Sequence, residues 1–410
     1  MDFAMQPDSE EMQVFRREAQ EWFAEAMKDG AHLKFSANWS TRENEEEYEF
    51  RRNLARKVGA KGWMFPVYPR EYGGGGLTVE HQMVLENEIG KYGLTLEHIF
   101  YTLARLAVPC IFTWGTEEQK QAFLPPLMTG EVGCWQLLTE PQGGSDVANA
   151  QTTAIKDGDV YVVNGQKTMV GSIHYPDFFW TLVNTNPQGA RHENLSWIYI
   201  PGDLPGISRS PLNLLMGRKN TVFFDNVRVP EFYLVGGENN GWKVGNTHLE
   251  LEHSGGGSLG EDGLVKHLIQ YCEETESNGA PLLEDPDVRD LLADVLIGSH
   301  ISALWGRRNW WHRYAHRPHG YGGTQARYYS RMRRLVVAER LQQILGYHTL
   351  IPNFDVPEAI DFEHAARQGP GTLHGGGTLD TDRLIMGRRM GLGRPTAEQA
   401  PITTPGSSEA

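Results

Sequence analysis

The chain has 410 residues, of which 40% are hydrophobic, enough for two or three domains with sizeable cores. Its formal net charge of −14 argues against recruitment of a polyanion, so nucleic acid is not an expected partner. Cys110, Cys134 and Cys272 form no C-x-x-C pair, which excludes a disulfide scaffold or thiolate zinc site and points to a reducing compartment.

The acidic start, MDFAMQPDSEEMQ, lacks a signal peptide's basic-then-apolar layout. No apolar run approaches the ~18 residues that span a bilayer, so a cytoplasmic protein without a membrane partner is expected. Residues 1–130 read as helical. Asp8 with Glu11 has capping-box spacing, and Met12, Phe15, Ala19, Trp22 and Phe23 recur at helical intervals. Helical patterns continue over 45–62 and 79–90, separated by the turn-rich loop FPVYPREYGGGG. Residues 131–233 read as strands. DVYVVNGQKTMV carries Asn164-Gly165 between two extended runs, a hairpin signal, and FFWTLVNT, LSWIYIP and NTVFFDNVRVP follow. Residues 234–394 return to helix, with WKVGNTHLELEH, DVRDLLADVLIGSHISALWGRRNWW and TQARYYSRMRRLVVAERLQQILG as long periodic stretches. Residues 395–410 are poor in large apolar side chains and are expected to be a disordered tail.

LTEPQGGSD, residues 138–146, carries the most chemistry. Pro141 ends a strand, Gly143 and Gly144 permit close backbone approach, and Ser145 with its neighbouring N–H groups suits a phosphate. Thr139 offers a hydroxyl at the strand end. By local chemistry alone an ordinary turn between strands fits equally well.

The segment CWQLLTEPQGGSDVANAQTTAIKDGDVYVVNGQK resembles the β-domain signature of the acyl-CoA dehydrogenase family. FLPPLMTGEVG before it, VFFDNVRVP after it, and GENNGWKVG, QQILG and GGGTLDTDRLIMGRRMGLGR match later family segments in order. The resemblance covers residues 10–394. It implies an α+β multidomain fold: an N-terminal helical domain, a central β-barrel or sandwich domain (131–233) and a C-terminal four-helix bundle (234–394). It also implies FAD as cofactor, an acyl-CoA substrate, an electron-transfer flavoprotein as acceptor, and a homo- or hetero-oligomer working in lipid catabolism. The match puts Leu138, Thr139, Met169 and Gly171 beside the flavin, and Gly144 and Ser145 at the FAD phosphates or the CoA arm. Gln343, Gly346, Thr378 and Asp380 fall in further FAD-contact segments.

The reaction needs a carboxylate to take the weakly acidic α-proton of a thioester while a β-hydride leaves. Family members carry that base at one of two positions. The one preceding the C-terminal Gly-Thr is Gly376 here, in Gly376-Gly377-Thr378. The other, in a Leu-x-x-Glu-Arg pattern, is Leu249-Glu250-Leu251-Glu252-His253. One position is vacant and the other filled, so the resemblance assigns Glu252 as base, as in the long-chain and isovaleryl branches. His253, Gly376, Gly377 and Ser145 become substrate contacts. Glu250 is assigned to the solvated face.

Three departures stand out. His253 replaces the usual Arg, Met169 replaces the flavin-stacking Trp, and CEETESNGAPLLEDPDV replaces the Arg-x-x-Phe-Gly segment that reaches a neighbouring subunit's FAD. Similar losses occur among bacterial mixed-subunit dehydrogenases acting on bulky thioesters. A non-catalytic or partner-dependent subunit, and an acyl-CoA oxidase or monooxygenase on the same fold, are therefore the alternatives. G-x-S-x-G and G-x-G-x-x-G matches within 255–260 follow a helix rather than a strand and carry no such chemistry. No metal-ligand spacing is present. Arg331, Arg333 and Arg334 form a basic run that faces either solvent or CoA phosphates.

Overall fold

A computed structural model of the chain describes residues 8–33, 45–96, 99–100, 104–215, 217–253, 263–314, 320–351 and 362–392. It divides into two compact units, Glu10–Glu252 and His253–Thr396. The tail at 395–410 and the glycine run at 255–260 lie outside the described residues.

In the first unit, α1 (Glu10–Ala26), α2 (Glu45–Ala60) and α3 (Val79–Gly90) share a core that buries Phe23, Leu54, Val58, Leu85 and Ile89. Helix α1 starts at Glu10, one residue beyond the start that Asp8–Glu11 capping implies. A reciprocal capping box opens α5 instead: Gln119 N donates to Thr116 Oγ1 (3.2 Å) and Thr116 N to Gln119 Oε1 (3.0 Å). Helices α4 (Ala104–Trp114) and α5 (Glu117–Met128) lie against one face of a sheet.

That sheet comprises β1 (Cys134–Leu137), β2 (Thr153–Asp157), β3 (Val160–Val170), β4 (Phe178–Asn184), β5 (Leu195–Pro201), β6 (Ile207–Leu214), β7 (Gly217–Pro230) and β8 (Leu234–Val235). The order is β6-β7-β3-β2-β4-β5-β8, with β1 parallel to β4. It is open, a sandwich-like sheet rather than a closed barrel. Side chains alternate between faces with the strand period of two. Trp180 and Leu182 on β4, with Trp197 and Tyr199 on β5, meet the helices. Phe179, Val183, Ile198 and Ile200 meet the sheet's own second core. With both faces covered, FFWTLVN and LSWIYIP read as continuous apolar runs rather than alternating ones. Helix α6 (Gly241–His253) closes the unit.

The sequence holds three Asn-Gly pairs, put to different uses: Asn240-Gly241 leads into α6, one of the others is a bulge, and one makes a hairpin turn. Asn164-Gly165, expected at a hairpin, lies inside β3, where the register against β7 slips between Val163 and Gly165. Gly165 has φ +140°, and a Cβ there would stand 2.7 Å from Thr152. The pair is a bulge: Asn226 N donates to Asn164 Oδ1 (2.8 Å). The β2–β3 turn falls at Gly158 (φ +69°). The third pair, Asn278 (φ +55°) and Gly279 (φ +83°), joins β9 (Glu276–Ser277) to β10 (Ala280–Pro281). Both central residues have positive φ, as a type I′ turn requires.

This hairpin lies in the second unit between α7 (Gly263–Glu274) and α8 (Pro286–Tyr314). Helix α9 (Gly322–Leu345) packs against α8, α10 (Phe362–Gly371) and α11 (Leu379–Arg389). Leu268, Cys272, Leu292, Leu341, Leu345 and Phe362 form the core. No helix among the described residues is long and apolar enough to cross a membrane.

Candidate active site

At one end of the sheet the structure gathers five of the residues named from sequence. Strand β1 runs out at Leu137, leaving Leu138 and Thr139 half-buried. Thr168 N donates to Thr139 O (2.9 Å), tying this end to β3. There β3 bulges between Lys167 and Val170. The bulge puts Met169 at φ +58° with its side chain 58% exposed. Gly171 follows at φ +63°, and a Cβ there would lie 2.2 Å from the buried Trp135 ring. Only glycine fits both the backbone and the space. Gly144 returns beside Thr139: its added Cβ would meet Thr139 Cγ2 at 3.6 Å.

The loop carrying Gly144 and Ser145 is closed by a pair of bonds, Glu140 N to Gly143 O (3.1 Å) and Gly143 N to Glu140 O (3.0 Å). Gly144 and Ser145 are exposed and make no hydrogen bond among the described residues. Two backbone donors and a hydroxyl thus face outward on a glycine loop, a donor set that suits a phosphate. Beside them the apolar Leu138 lines a narrow crevice with Val147, Leu182, Trp197, Trp242 and Leu249. An apolar wall next to unclaimed N–H donors fits a dinucleotide such as FAD, whose ring wants the first and whose phosphates want the second.

The loop rests on a buried ion pair that the sequence reading did not pick out. Lys167 Nζ donates to Glu140 Oε1 (2.7 Å) and to Leu138 O (3.2 Å). Glu140 also accepts from Gln151 N (2.7 Å) and Thr152 N (3.0 Å). Burial pushes the Glu140 carboxyl upward, but the Lys167 ammonium and these donors outweigh it and hold its pKa at about 2.

Glu252 lies in the last turn of α6, half-buried, as is Glu250. The helix is anchored through its preceding turns. Trp197 Nε1 donates to Gly241 O (3.0 Å), Trp114 Nε1 to Thr247 Oγ1 (3.0 Å), and Trp180 Nε1 to His248 Nδ1 (3.3 Å). The His253 side chain lies outside the described residues.

In the second unit the remaining sequence-named residues fall into two groups. Gly376 (φ +66°) and Gly377 (φ +97°) form a left-handed turn before α11. Thr378 caps that helix, accepting from Thr381 N (3.2 Å), so its hydroxyl is already engaged. Asp380 is exposed and paired with Arg383 (2.9 Å). The glycine turn is clamped from α9: Arg331 donates to Gly377 O (2.7 Å), to Gly375 O and to Asp382 Oδ2 (3.1 Å), and Arg327 donates to Gly376 O. Arg331 is thus buried on carbonyls and a carboxylate, neither in solvent nor free for a CoA phosphate. Arg333 pairs with Asp294 (3.1 Å). Gln343 and Gly346 sit at the other end of α9, about 18 Å along the helix from Arg331. Gln343 is exposed and accepts from Arg340 (3.0 Å), and Gly346 (φ +56°) terminates the helix. The structure therefore does not bring Gln343 and Gly346 together with the Gly376–Asp380 group. Among the described residues no cluster of His, Cys, Asp and Glu is placed to hold a metal.

The chain matches the acyl-CoA dehydrogenase N-terminal domain over residues 9–131, the middle domain over 136–227 and the C-terminal domain over 239–391. It belongs to the acyl-CoA dehydrogenase family. It is 33% identical over 241 residues to the acyl-CoA dehydrogenase FadE26 of Mycobacterium tuberculosis, covering 58% of this chain and 60% of that relative's length. Among solved structures it resembles the ChsE4-ChsE5 complex of M. tuberculosis (TM-score 0.77, 28% identity, 95% of this chain and all of that one). It also resembles the Tcur3481-Tcur3483 steroid ACAD (TM-score 0.80, 28% identity, 97% and 100%).

Proposed function

We propose that the chain carries out FAD-dependent α,β-dehydrogenation of an acyl-CoA thioester, with Glu252 as the base. The observation that carries this reading is the pairing of a filled and a vacant position. Glu252 ends a helix anchored to the sheet, whereas Gly376 has no side chain and holds a left-handed backbone. Bound FAD would supply the acceptor for a hydride. Glu252 takes the α-proton, the β C–H bond releases its electron pair as hydride, and a C=C bond forms between the two carbons. Leu138, Thr139, Met169 and Gly171 would hold the ring, and Gly144 and Ser145 a phosphate. Screening from water would raise the basicity of Glu252 toward its task. The product is the 2-enoyl-CoA, and an electron-transfer flavoprotein is the proposed electron acceptor, in the cytoplasm.

The test is an anaerobic titration of the purified, flavin-loaded protein with butyryl-, isovaleryl-, palmitoyl- and a steroid side-chain CoA thioester. The last is included because of the steroid ACAD neighbour. Bleaching of the flavin absorbance by one class is expected. Glu252→Gln should retain the flavin spectrum and lose bleaching about 10²–10⁴-fold in rate; full retention would remove Glu252 as base.

A second reading has its own observation. Gln343 and Gly346 stand at the opposite end of α9 from Gly376–Asp380, and a β-hairpin occupies the place of the segment that would reach a neighbour's FAD. Both features favour a FAD site completed by another chain, in a homo- or hetero-oligomer. A colourless isolated protein that gains flavin only with a co-expressed partner supports it. A yellow, fully active homo-oligomer overturns the mixed-assembly form.

A further inference from the structure

We propose that His248 is a positioning residue that fixes the helix bearing Glu252 to the strand ending at Leu138–Thr139. The inference rests on the assignment of Glu252 as base. His248 is wholly buried, in a cage of aromatic rings. Trp180 and Trp197 stack at 4.8 Å and 20°, and the Trp197 ring centroid lies 4.8 Å from that of His248.

The hydrogen bonds fix the state of the imidazole. An indole N–H only donates, and Trp180 Nε1 meets Nδ1 at 3.3 Å, so Nδ1 is the acceptor and the neutral ring carries its proton on Nε2. Nε2 stands 2.7 Å from Gln136 Nε2, and since two donors cannot share a hydrogen bond, we assign the amide with its oxygen at that position, receiving the proton. Gln136 and Trp180 are register partners on β1 and β4. His248 thus closes a bridge from α6 onto two adjacent strands at one level of the sheet. On β1 the bridge lies two residues before Leu138. On α6 it lies four residues before Glu252, on the same helical face and about 6 Å along the axis. Among the described residues of α6, His248 is the last that is wholly buried.

A buried polar ring is tolerated only when its bonds are made, and an apolar residue in its place would leave the buried Trp180 N–H without an acceptor. What histidine adds is direction. Its two bonds set the rotation of α6 about its own axis, and through it the placement of the Glu252 carboxylate against the strand proposed to border the flavin. A displacement of about 1 Å between reacting groups can cost about 100-fold in rate.

The test compares His248→Phe, Gln136→Leu and Glu252→Gln in the flavin-loaded protein. The substrate is the thioester that bleaches the wild type in the panel above, with and without α-deuterium. For His248→Phe and Gln136→Leu the inference expects an unchanged flavin spectrum, KM within about threefold, kcat lowered about 10- to 100-fold, and a larger α-deuterium isotope effect. His248→Gln, which keeps a donor and an acceptor, should recover part of kcat. Wild-type kcat and isotope effect in Gln136→Leu and His248→Phe, with Glu252→Gln inactive, would overturn the inference and leave the base assignment standing. Flavin loss in parallel with kcat would reduce His248 to a structural role and overturn it too. An active Glu252→Gln would remove the base assignment, and this inference with it.

Discussion

Lys167 and Glu140 form an ion pair in the interior of the first unit, Nζ to Oε1 at 2.7 Å, with side-chain exposures of 0% and 4%. Because Lys167 also holds Leu138 O and Glu140 holds the N–H groups of Gln151 and Thr152, the pair fixes both ends of the loop proposed to meet FAD. Removing one partner leaves the other charged and buried. Lys167→Met should cost about 3–5 kcal/mol, read by urea denaturation. A loss under about 1 kcal/mol would mean that the pair is not structural.

The same pair predicts a pH dependence. The folded pKa of Glu140, about 2, lies below its ordinary value of 4.5. A depressed carboxylate adds stability that is fully present above the unfolded value and is lost as pH falls through the folded one. Wild-type stability should therefore decline between about pH 4.5 and 2. The Glu140→Gln/Lys167→Met double variant should show a shallower decline over that window, and identical slopes would refute the assignment.

Gly171 and Met169 make opposite predictions two residues apart. Gly171→Ala drives a Cβ into Trp135, whose ring is part of the core, and strains a positive φ, for a loss of about 3 kcal/mol. Met169 also has positive φ, but its side chain is exposed, so Met169→Gly should stabilise the flavin-free protein by about 1 kcal/mol. Thermal unfolding of the two variants checks both signs.

These residues also mark how far the sequence could be read. The helix, strand, helix order was legible because periodicity survives in long elements, and α3 begins and ends where the pattern did. The Asn164-Gly165 hairpin was misplaced because local turn preference is weaker than a fourteen-residue partner strand: β7 pairs with β3 on both sides of the dipeptide. Where no long partner competes, Asn278-Gly279 turned as its chemistry prefers. Strand β6 was missed because ISRSPLNL has no alternating apolar pattern: only Ile207, Leu212 and Leu214 are half-buried and the rest are exposed. In the candidate site the glycine loop was visible as a motif. Its support Lys167 was not, nor were His248, which anchors α6, and Arg331, which clamps the glycine turn of the second unit, because all three look like surface residues until the fold brings Glu140, Trp180 and Asp382 to them. The signal for His248 was its place with Val244 and Thr247 on one face of α6, all three wholly buried.

In the second unit, Arg331→Met would strip donors from Gly375, Gly377 and Asp382 at once. Burial drives the Asp382 carboxyl upward while Arg327 and Arg331 draw it down, so losing one arginine leaves a buried carboxylate under-compensated. The expected loss is about 3 kcal/mol, a fall in Tm of about 6–12 °C. Arg331→Met/Asp382→Leu should recover most of it, because the unpaired charge goes with its partner. A double variant no more stable than the single would show that the carbonyl contacts, not the carboxylate, dominate.

The three thiols give the last prediction. Cys110, Cys134 and Cys272 are wholly buried, and burial pushes Cys134 up to about 12, Cys272 up to about 11 and Cys110 higher still. Alkylation needs the thiolate and access to it, and at pH 8 the native protein supplies neither. Iodoacetamide should leave the native chain unmodified over hours and label three sites in urea. Any slow native labelling should report local opening and reach Cys272 before Cys134, since its thiolate is the less disfavoured. Peptide mapping of a time course distinguishes the sites, and rapid labelling of Cys110 in the native protein would contradict the packing of α4 against the sheet.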